Sequence, residues 1–120
     1  MATATITGET MKAIMNGIET MTTDQFIKLI DETISQVVML GGERQYLGII
    51  LSRDVFEKLI RPEVLRTKQK VEKVNGPQEV PFLISDDLPV NTAYVTDITT
   101  MDKLELVWPS GNKVIFEEAD

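Results

Sequence analysis

The chain has 120 residues, of which 42% are hydrophobic and 26% charged, which is the size and composition of one globular domain. It contains neither cysteine nor histidine, which excludes disulfides, thiolate metal ligands and imidazole-based catalysis, and therefore favours a protein that is not an enzyme. A formal net charge of −7 disfavours direct binding of nucleic acid, and no apolar run approaches the roughly 20 residues that cross a membrane.

Apolar residues at helical spacing predict a first, short helix at about Gly8–Thr20. They are Met11, Ile14, Met15, Ile18 and Met21. Two residues that are poor in helix interiors interrupt the stripe, so we expect 1–22 to be a flexible segment with a Met-rich helix, followed by a single domain at 23–118. A Met-rich stripe is either core or an adaptable docking face. Its candidate partner-binding residues are Met11, Met15 and Ile18.

The strongest helix signal runs from Thr23 to about Leu40. Thr22 and Gln25 form a capping box at its start. Gly41-Gly42 should end it, because glycine adopts the left-handed conformation of a helix C-cap at little cost. The predicted buried stripe consists of Phe26, Ile27, Ile30, Ile34, Val37 and Val38.

A continuous apolar run, Tyr46–Leu51, has the length of a buried strand and leads straight into a third helix. Ser52 can cap that helix, which we expect to extend from Arg53 to about Arg61. Pro62 should close it, since the residue before a proline is pushed away from helical geometry.

After this helix the sequence changes to the periodicity of strands. Lys70–Val74 and Glu79–Ile84 flank Asn75-Gly76, a dipeptide that favours the two positive φ angles of a type I′ hairpin turn. Because Pro81 cannot donate to a β-ladder, the returning strand should lie at a sheet edge or begin only at Phe82.

Three further strands are predicted at Thr92–Thr96, Lys103–Trp108 and Lys113–Phe116, with a turn at Pro109–Asn112 between the last two. Helices come first and strands follow. This order predicts an α+β fold with N-terminal helices packed on a mainly antiparallel sheet formed by the C-terminal half. Trp108 belongs either to the core, which its place in an alternating strand favours, or to an interface.

The charges are distributed unevenly along the chain. Residues 53–73 carry seven basic and four acidic residues, whereas residues 86–120 carry eight acids and two lysines. The two segments are either solvated faces or complementary contacts to a partner or a second copy. The candidate contact residues are Arg53, Arg61, Arg66, Lys68 and Lys70 on the basic side, and Asp86 and Asp87 on the acidic side.

Asp86-Asp87, with Asp97 and Asp102, form the one acid cluster that could hold a cation. Calcium prefers about six to eight oxygen ligands in a preorganised loop, and the EF-hand spacing is absent. The Gly-x-Ser-x-Gly and P-loop patterns of catalytic and phosphate-binding sites are absent as well. We therefore predict no metal, no other cofactor and no small-molecule substrate.

Three segments carry a family resemblance. In Leu47–Leu59 a buried strand runs straight into a helix, Val80–Pro89 combines an apolar strand with a Ser-Asp turn and a Leu-Pro pair, and Thr92–Asp97 is the next strand. From about residue 24 to 118, this order resembles the axial domain of tailed-phage major capsid proteins. The resemblance implies a virion-associated or assembly role without catalytic residues. A complete coat protein of that family is more than twice as long, so the chain would be a reduced relative.

We expect a non-enzymatic structural or assembly protein that acts through protein–protein contacts, by self-association or by docking on a larger complex. An acidic inhibitor or regulator that binds a basic site on a host protein is the alternative, and a carboxylate-metal enzyme is a third possibility. Contact with nucleic acid or membrane is not expected. The N-terminus lacks the basic and apolar regions of a secretory signal, which predicts a cytoplasmic location, or a virion if the capsid resemblance reflects kinship.

Overall fold

The computed structural model describes residues 4–7, 12–67, 74–100, 104–107 and 113–116. Its strands are β1 (Ala4–Thr7), β2 (Lys12–Met15), β3 (Leu47–Ser52), β4 (Phe82–Ser85), β5 (Ala93–Asp97), β6 (Leu104–Val107) and β7 (Lys113–Phe116). Its helices are α1 (Thr23–Met39), α2 (Arg53–Val55) and α3 (Arg61–Thr67), and a π-helical segment at Phe56–Ile60 joins α2 to α3 without a break. Short 3-10 turns lie at Ile18–Thr20, Arg44–Tyr46, Pro77–Glu79 and Ile98–Thr100. In the described ranges no helix is long and apolar enough to span a membrane.

The described strands form one sheet in the order β1-β2-β5-β3-β4-β6-β7. Among them only β3 and β4 are parallel neighbours, and the continuous α2–α3 helix makes the crossover between them. The predicted α+β class with a mainly antiparallel sheet is therefore confirmed. Four strands come from the C-terminal half, as expected, and β1, β2 and β3 add to them from the first 52 residues.

The main core lies between the sheet and the helices, because α1 and the α2–α3 helix bury their apolar sides against the same sheet face. Its most buried large side chains include Phe26, Ile30, Ile34, Ile49, Leu51, Phe56, Ile60, Phe82 and Ile84. A smaller cluster occupies the other face and consists of Ile50, Leu83, Tyr94 and Leu106. Burying one large aliphatic or aromatic side chain contributes about 1.5–3 kcal/mol, so the helix-covered face supplies most of the stability.

Helix α1 forms as predicted. The Gln25 backbone N–H donates to Thr22 Oγ1 at 3.2 Å, and the Thr22 N–H donates to Gln25 Oε1 at 2.9 Å, which completes the capping box. At the other end Gly41 has φ 106°, and the Gly42 N–H donates to the Val37 carbonyl at 2.9 Å, the pattern of a Schellman cap. Of the predicted buried stripe, Ile27 and Val38 are half-buried. The stripe also takes in Leu29 and Thr33.

The helix predicted at about Gly8–Thr20 is wrong over its described part, since residues 12–15 are strand β2 and a 3-10 turn follows. β2 pairs with the buried strand β5, with Ala13 opposite Val95 and Ile14 opposite Tyr94. Alternate side chains, Ala13 and Met15, therefore enter the main core, as strand geometry requires. Gly17 has φ 77° and turns the chain toward α1. Met11 lies outside the described residues.

The helix that begins at Arg53 does not stop before Pro62 but continues to Thr67. The π-helical segment explains the difference. Its wider winding lets the Arg61 N–H donate to the Phe56 carbonyl, five residues back, and the next residue, Pro62, has no N–H that needs an acceptor. The Leu59 carbonyl, close to this irregularity, accepts a hydrogen bond from Thr23 Oγ1 at 2.8 Å, which ties the segment to α1.

The type I′ turn predicted at Asn75-Gly76 is also wrong, because Gly76 is extended, with φ −89°. Asn75 instead pairs with Pro81 in an antiparallel bridge, and the chain reverses at Pro77–Glu79, where Gln78 and Glu79 have φ 57° and 63°. Two successive left-handed residues without glycine are costly. The Gln78 amide compensates by donating to Asp31 Oδ1 and to Ser35 Oγ, both at 3.0 Å, so α1 holds the turn in place.

The remaining strand predictions are confirmed to within two residues for β3, β5, β6 and β7. β4 begins at Phe82, as one of the two alternatives required, although it lies between β3 and β6 and not at an edge. Trp108 and the turn predicted at Pro109–Asn112 lie outside the described residues.

Candidate functional site

Several of the predicted contact residues meet at one end of the sheet, where the parallel strands β3 and β4 terminate side by side. Ser52 and Ser85, the last residues of the two strands, are opposite each other and buried. The next residues, Arg53 and Asp86, therefore emerge at the same edge. The carboxyl end of parallel strands is where open α/β sheets commonly bind ligands, so this edge is the natural place to look for a site.

Arg53 and Asp86 form a two-pronged ion pair across this edge. Arg53 Nε lies 2.6 Å from Asp86 Oδ1, and the Nη2 atom lies 3.0 Å from Oδ2. The hydrogen bond to Asp86 raises the pKa of Arg53, against the smaller opposing effect of partial burial. Both side chains are about half exposed, at 48% and 53%, so the pair contributes less than about 1 kcal/mol to stability and acts mainly to orient the loop that begins at Asp86.

Asp54 holds the other end of the same loop. Its Oδ2 atom accepts a hydrogen bond from the Asn91 backbone N–H at 2.9 Å, and Asn91 has a left-handed φ of 56°. Burial opposes ionisation of Asp54, but hydrogen bonds from the Ser52 hydroxyl and from backbone N–H groups outweigh it and lower its pKa. Ser52 also accepts from the Thr92 N–H at 3.2 Å. Ser52 lies at the N-cap position, as predicted, but the prediction that its side chain caps the helix is wrong, since its hydroxyl makes no capping hydrogen bond.

The other predicted contact residues do not join this edge. Met15 and Ile18 are 3% and 1% exposed, which corrects the prediction that they form a docking face, because core side chains cannot touch a partner in the folded chain. Arg61 pairs with Glu57 one helical turn earlier, at 2.8 Å. Asp87 is exposed next to Asp86. Arg66 belongs to α3, and Met11, Lys68 and Lys70 lie outside the described residues.

The acid cluster is not assembled into one site in the described part of the chain. Asp97 Oδ1 accepts hydrogen bonds from the Thr99 N–H at 2.8 Å and from its hydroxyl at 2.5 Å, which is the behaviour of a turn-forming aspartate. Asp102 lies outside the described residues. Within those that are described, no three acidic side chains come close enough to hold a metal ion.

Exposed apolar side chains at the connection between α1 and β3 were not anticipated. Met39 and Leu40, at the end of α1, are 86% and 59% exposed, and Tyr46, just before β3, is 41% exposed. Among the described residues the remaining exposed large apolar side chain is Val90, in the loop after β4. The sequence did carry a signal, since Met39 and Leu40 follow the predicted buried stripe directly and precede the Gly41-Gly42 stop. We refer to Met39, Leu40 and Tyr46 as the α1-end patch.

A groove of about 430 Å³ lies between α1, α3 and the extended segment at Val74–Pro77. Its floor is apolar, with Ile27, Val64 and Phe82 among its lining residues, and carboxylates from both helices stand beside it. Most of the apolar lining is already buried, so the groove exposes less apolar surface than its volume implies. It is the size of a small-molecule site but brings together no catalytic set.

Comparison with known proteins adds no relative. No protein-family model matches the chain, and no curated protein or solved structure matches it significantly.

Proposed function

We propose that this chain is a non-enzymatic assembly protein that works through protein–protein contacts, by binding further copies of itself or a larger complex. Its residue content supports the proposal, because a chain without histidine or cysteine lacks the most usual acid–base and nucleophilic groups. The polar groups at the carboxyl end of β3 and β4 support it too. These groups form hydrogen bonds between segments of the same chain, such as Arg53 to Asp86 and the Asn91 N–H to Asp54.

The observation that carries the proposal is the exposure of the α1-end patch. Single exposed apolar residues are ordinary, but here two successive large side chains, and a tyrosine six residues later in the chain, are exposed. Among the residues whose burial is described, Val90 is the remaining exposed large apolar one. Methionine and tyrosine are enriched where proteins contact each other. Met39, at 86% exposure, adds little apolar burial to the fold, so a second molecule that covered it would gain the free energy of burying most of its side chain.

The segment order that resembles the phage capsid axial domain lends support to a role in a virion or in its assembly. In the fold, α1 leads to the buried strand β3, which passes directly into the α2–α3 helix, and β4 and β5 follow. On this proposal the protein acts in the cytoplasm of an infected or bacterial cell or within the particle.

Light scattering coupled to gel filtration, at several protein and salt concentrations, tests the proposal. We expect the wild-type chain to exceed the 13.5 kDa mass of one copy at the higher concentrations. Met39→Lys should weaken the association at least about tenfold, because it places a charge in the contact. Lysine is compatible with the fold at this position, since a cation near a helix C-terminus is favourable.

Val90→Lys is the matched control, since Val90 is also exposed, at 72%, but lies in the loop at the other end of β4. It adds the same charge and should leave the association unchanged. A chain that stays monomeric at every concentration and binds no larger assembly would contradict the proposal. A salt-sensitive complex with one basic protein, weakened by Asp87→Asn but not by Met39→Lys, would point to the acidic regulator instead.

A further inference from the structure

Among the described strands, β1 forms one edge of the sheet. β1 pairs with β2 through four residues, from Ala4 opposite Met15 to Thr7 opposite Lys12, and no described strand lies on its outer side. In an antiparallel ladder alternate residues direct their N–H and C=O groups to one neighbour, so half of the residues of β1 direct theirs outward. Such an edge is a ready template for another strand.

β1 also lacks the charges and prolines by which sheet edges are commonly protected. Its residues are Ala4, Thr5, Ile6 and Thr7, none of them charged. Protein edges are usually blunted by lysine, proline or a bulge, and β7, at the other edge, begins with Lys113. In a chain with a net charge of −7, an uncharged β-edge is a place where two copies can approach without strong local repulsion.

We infer that two copies of this chain associate through their β1 edges into one continuous antiparallel sheet. The inference names a contact for the self-association in the proposed function and rests on that function, but it uses a surface other than the α1-end patch. A second copy is the occupant because two β1 strands related by a two-fold axis are antiparallel automatically and close the contact after two molecules. Pairing β1 with β7 would instead be a head-to-tail contact, which repeats into a ring when its rotation closes and into an open filament when it does not.

The symmetry fixes which residues face each other. The two-fold axis runs perpendicular to the sheet, so a residue can oppose only itself or one an even number of positions away, as side-chain direction alternates along a strand. Two registers therefore lie nearest the centre of the described strand. One places Thr5 opposite Thr5 of the second copy, and the other places Thr5 opposite Thr7 of the second copy. Within the chain Thr5 is opposite Ile14 in the ladder, and Ile14 is a half-buried residue outside the main core.

Charge exchange at Thr5 tests the inference. Thr5→Lys and Thr5→Glu, each alone, should raise the dimer dissociation constant at least about tenfold, because each places like charges across the axis. An equimolar mixture of the two variants should recover the dimer, measured by sedimentation equilibrium against the 13.5 kDa monomer. Gln36→Lys and Gln36→Glu, at an exposed position on α1, are the matched controls and should change nothing.

A second measurement needs no substitution. Hydrogen exchange of the backbone amides of residues 4–7 should slow as the wild-type concentration rises through the dissociation constant. If the Thr5 variants leave the wild-type dimer intact and Met39→Lys disrupts it, the inference is overturned. The proposed function is still supported in that case. A mass that grows without limit in Met39→Lys, in which the α1-end patch is blocked, would overturn the inference in favour of β1–β7 pairing. A wild-type chain that never self-associates would overturn it outright.

Discussion

Replacing Gly76 by alanine separates two explanations of why glycine stands there. A Cβ added at Gly76 would lie 2.8 Å from Ile49 Cδ1 and 2.9 Å from both Cε2 and Cζ of Phe82. The backbone itself accepts alanine, because φ is −89°. The cost must therefore come from crowding in the core, which for one additional methyl group is about 1–3 kcal/mol.

A smaller side chain at residue 82 should relieve most of this crowding, since two of the three nearest atoms belong to the Phe82 ring. Phe82→Leu removes the two ring atoms that the added methyl group would meet, so Gly76→Ala should cost at least about 1 kcal/mol less in that background than in the wild type. The Asn-Gly turn anticipated from the sequence makes the opposite prediction. At a positive φ the cost of alanine is conformational and does not depend on the size of residue 82.

Urea denaturation of the four proteins in this cycle measures the coupling. The wild type, the two single variants and the double variant should unfold with similar slopes, so that differences in midpoint report stability. If the cost of Gly76→Ala is the same in both backgrounds, within about 0.5 kcal/mol, the crowding explanation is refuted.

Thr22→Ala removes half of the capping box of α1 and should lower the free energy of unfolding by about 1 kcal/mol, again measured in urea. Because the pKa of Asp54 is lowered in the folded chain, its carboxylate stabilises the fold at pH values above its ordinary pKa of 3.8. This stabilisation is lost as the pH falls through the folded-state pKa. The stability advantage of the wild type over Asp54→Asn should therefore shrink in acid, and an advantage that does not vary with pH would contradict it. Burial raises the pKa of Tyr94, so in a Tyr46→Phe background the ultraviolet titration of the remaining tyrosine should have its midpoint above 10.0. The contribution of the neutral Tyr94 side chain to the free energy of unfolding is fully present below pH 10.0 and is lost as the pH rises through its folded-state pKa. Urea denaturation at alkaline pH measures this loss.

The sequence predicted secondary structure correctly where residues close together in the chain determine it. Both ends of α1 follow from short-range hydrogen bonding, by the capping box at Thr22 and the glycine cap at Gly41. The strands from β3 onward follow from apolar runs and alternation, because burial on one face imposes a two-residue period.

The predictions were wrong where contact with a segment distant in the sequence determines the local structure. Residues 12–15 carry an apolar spacing that fits a helix, but pairing with β5, about 80 residues away in the chain, makes them a strand. The reversal at Pro77–Glu79 uses two residues with no intrinsic preference for positive φ. It is held by Gln78 bonding to α1, more than 40 residues earlier, a contact that no local pattern reveals.

The candidate site shows the same division. The sequence marked Arg53 and Asp86 as members of oppositely charged segments that could meet a partner, and the charges do attract each other, but within one chain. What brings them together is the parallel pairing of β3 and β4, whose crossover could not be inferred from the order of elements alone. The exposed end of α1 was missed for the complementary reason, since periodicity identifies the buried side of a helix and not which apolar residues are left uncovered beyond it.

The internal use of polar groups at the β3–β4 edge limits what that edge can bind. Arg53 donates two hydrogen bonds to Asp86, and Ser52 both accepts from Thr92 and donates to Asp54, so a ligand would have to replace bonds that already hold the loop. Among the described residues no buried side-chain nitrogen or oxygen lacks a hydrogen-bond partner. An incoming polar group would therefore gain only the difference between two similar hydrogen bonds, which is small. The exposed apolar side chains have no such competing contact, and each would gain its full desolvation energy on being covered. In the described part of the chain, these energetics favour the two surfaces proposed above, the α1-end patch and the backbone of β1, over the β3–β4 edge.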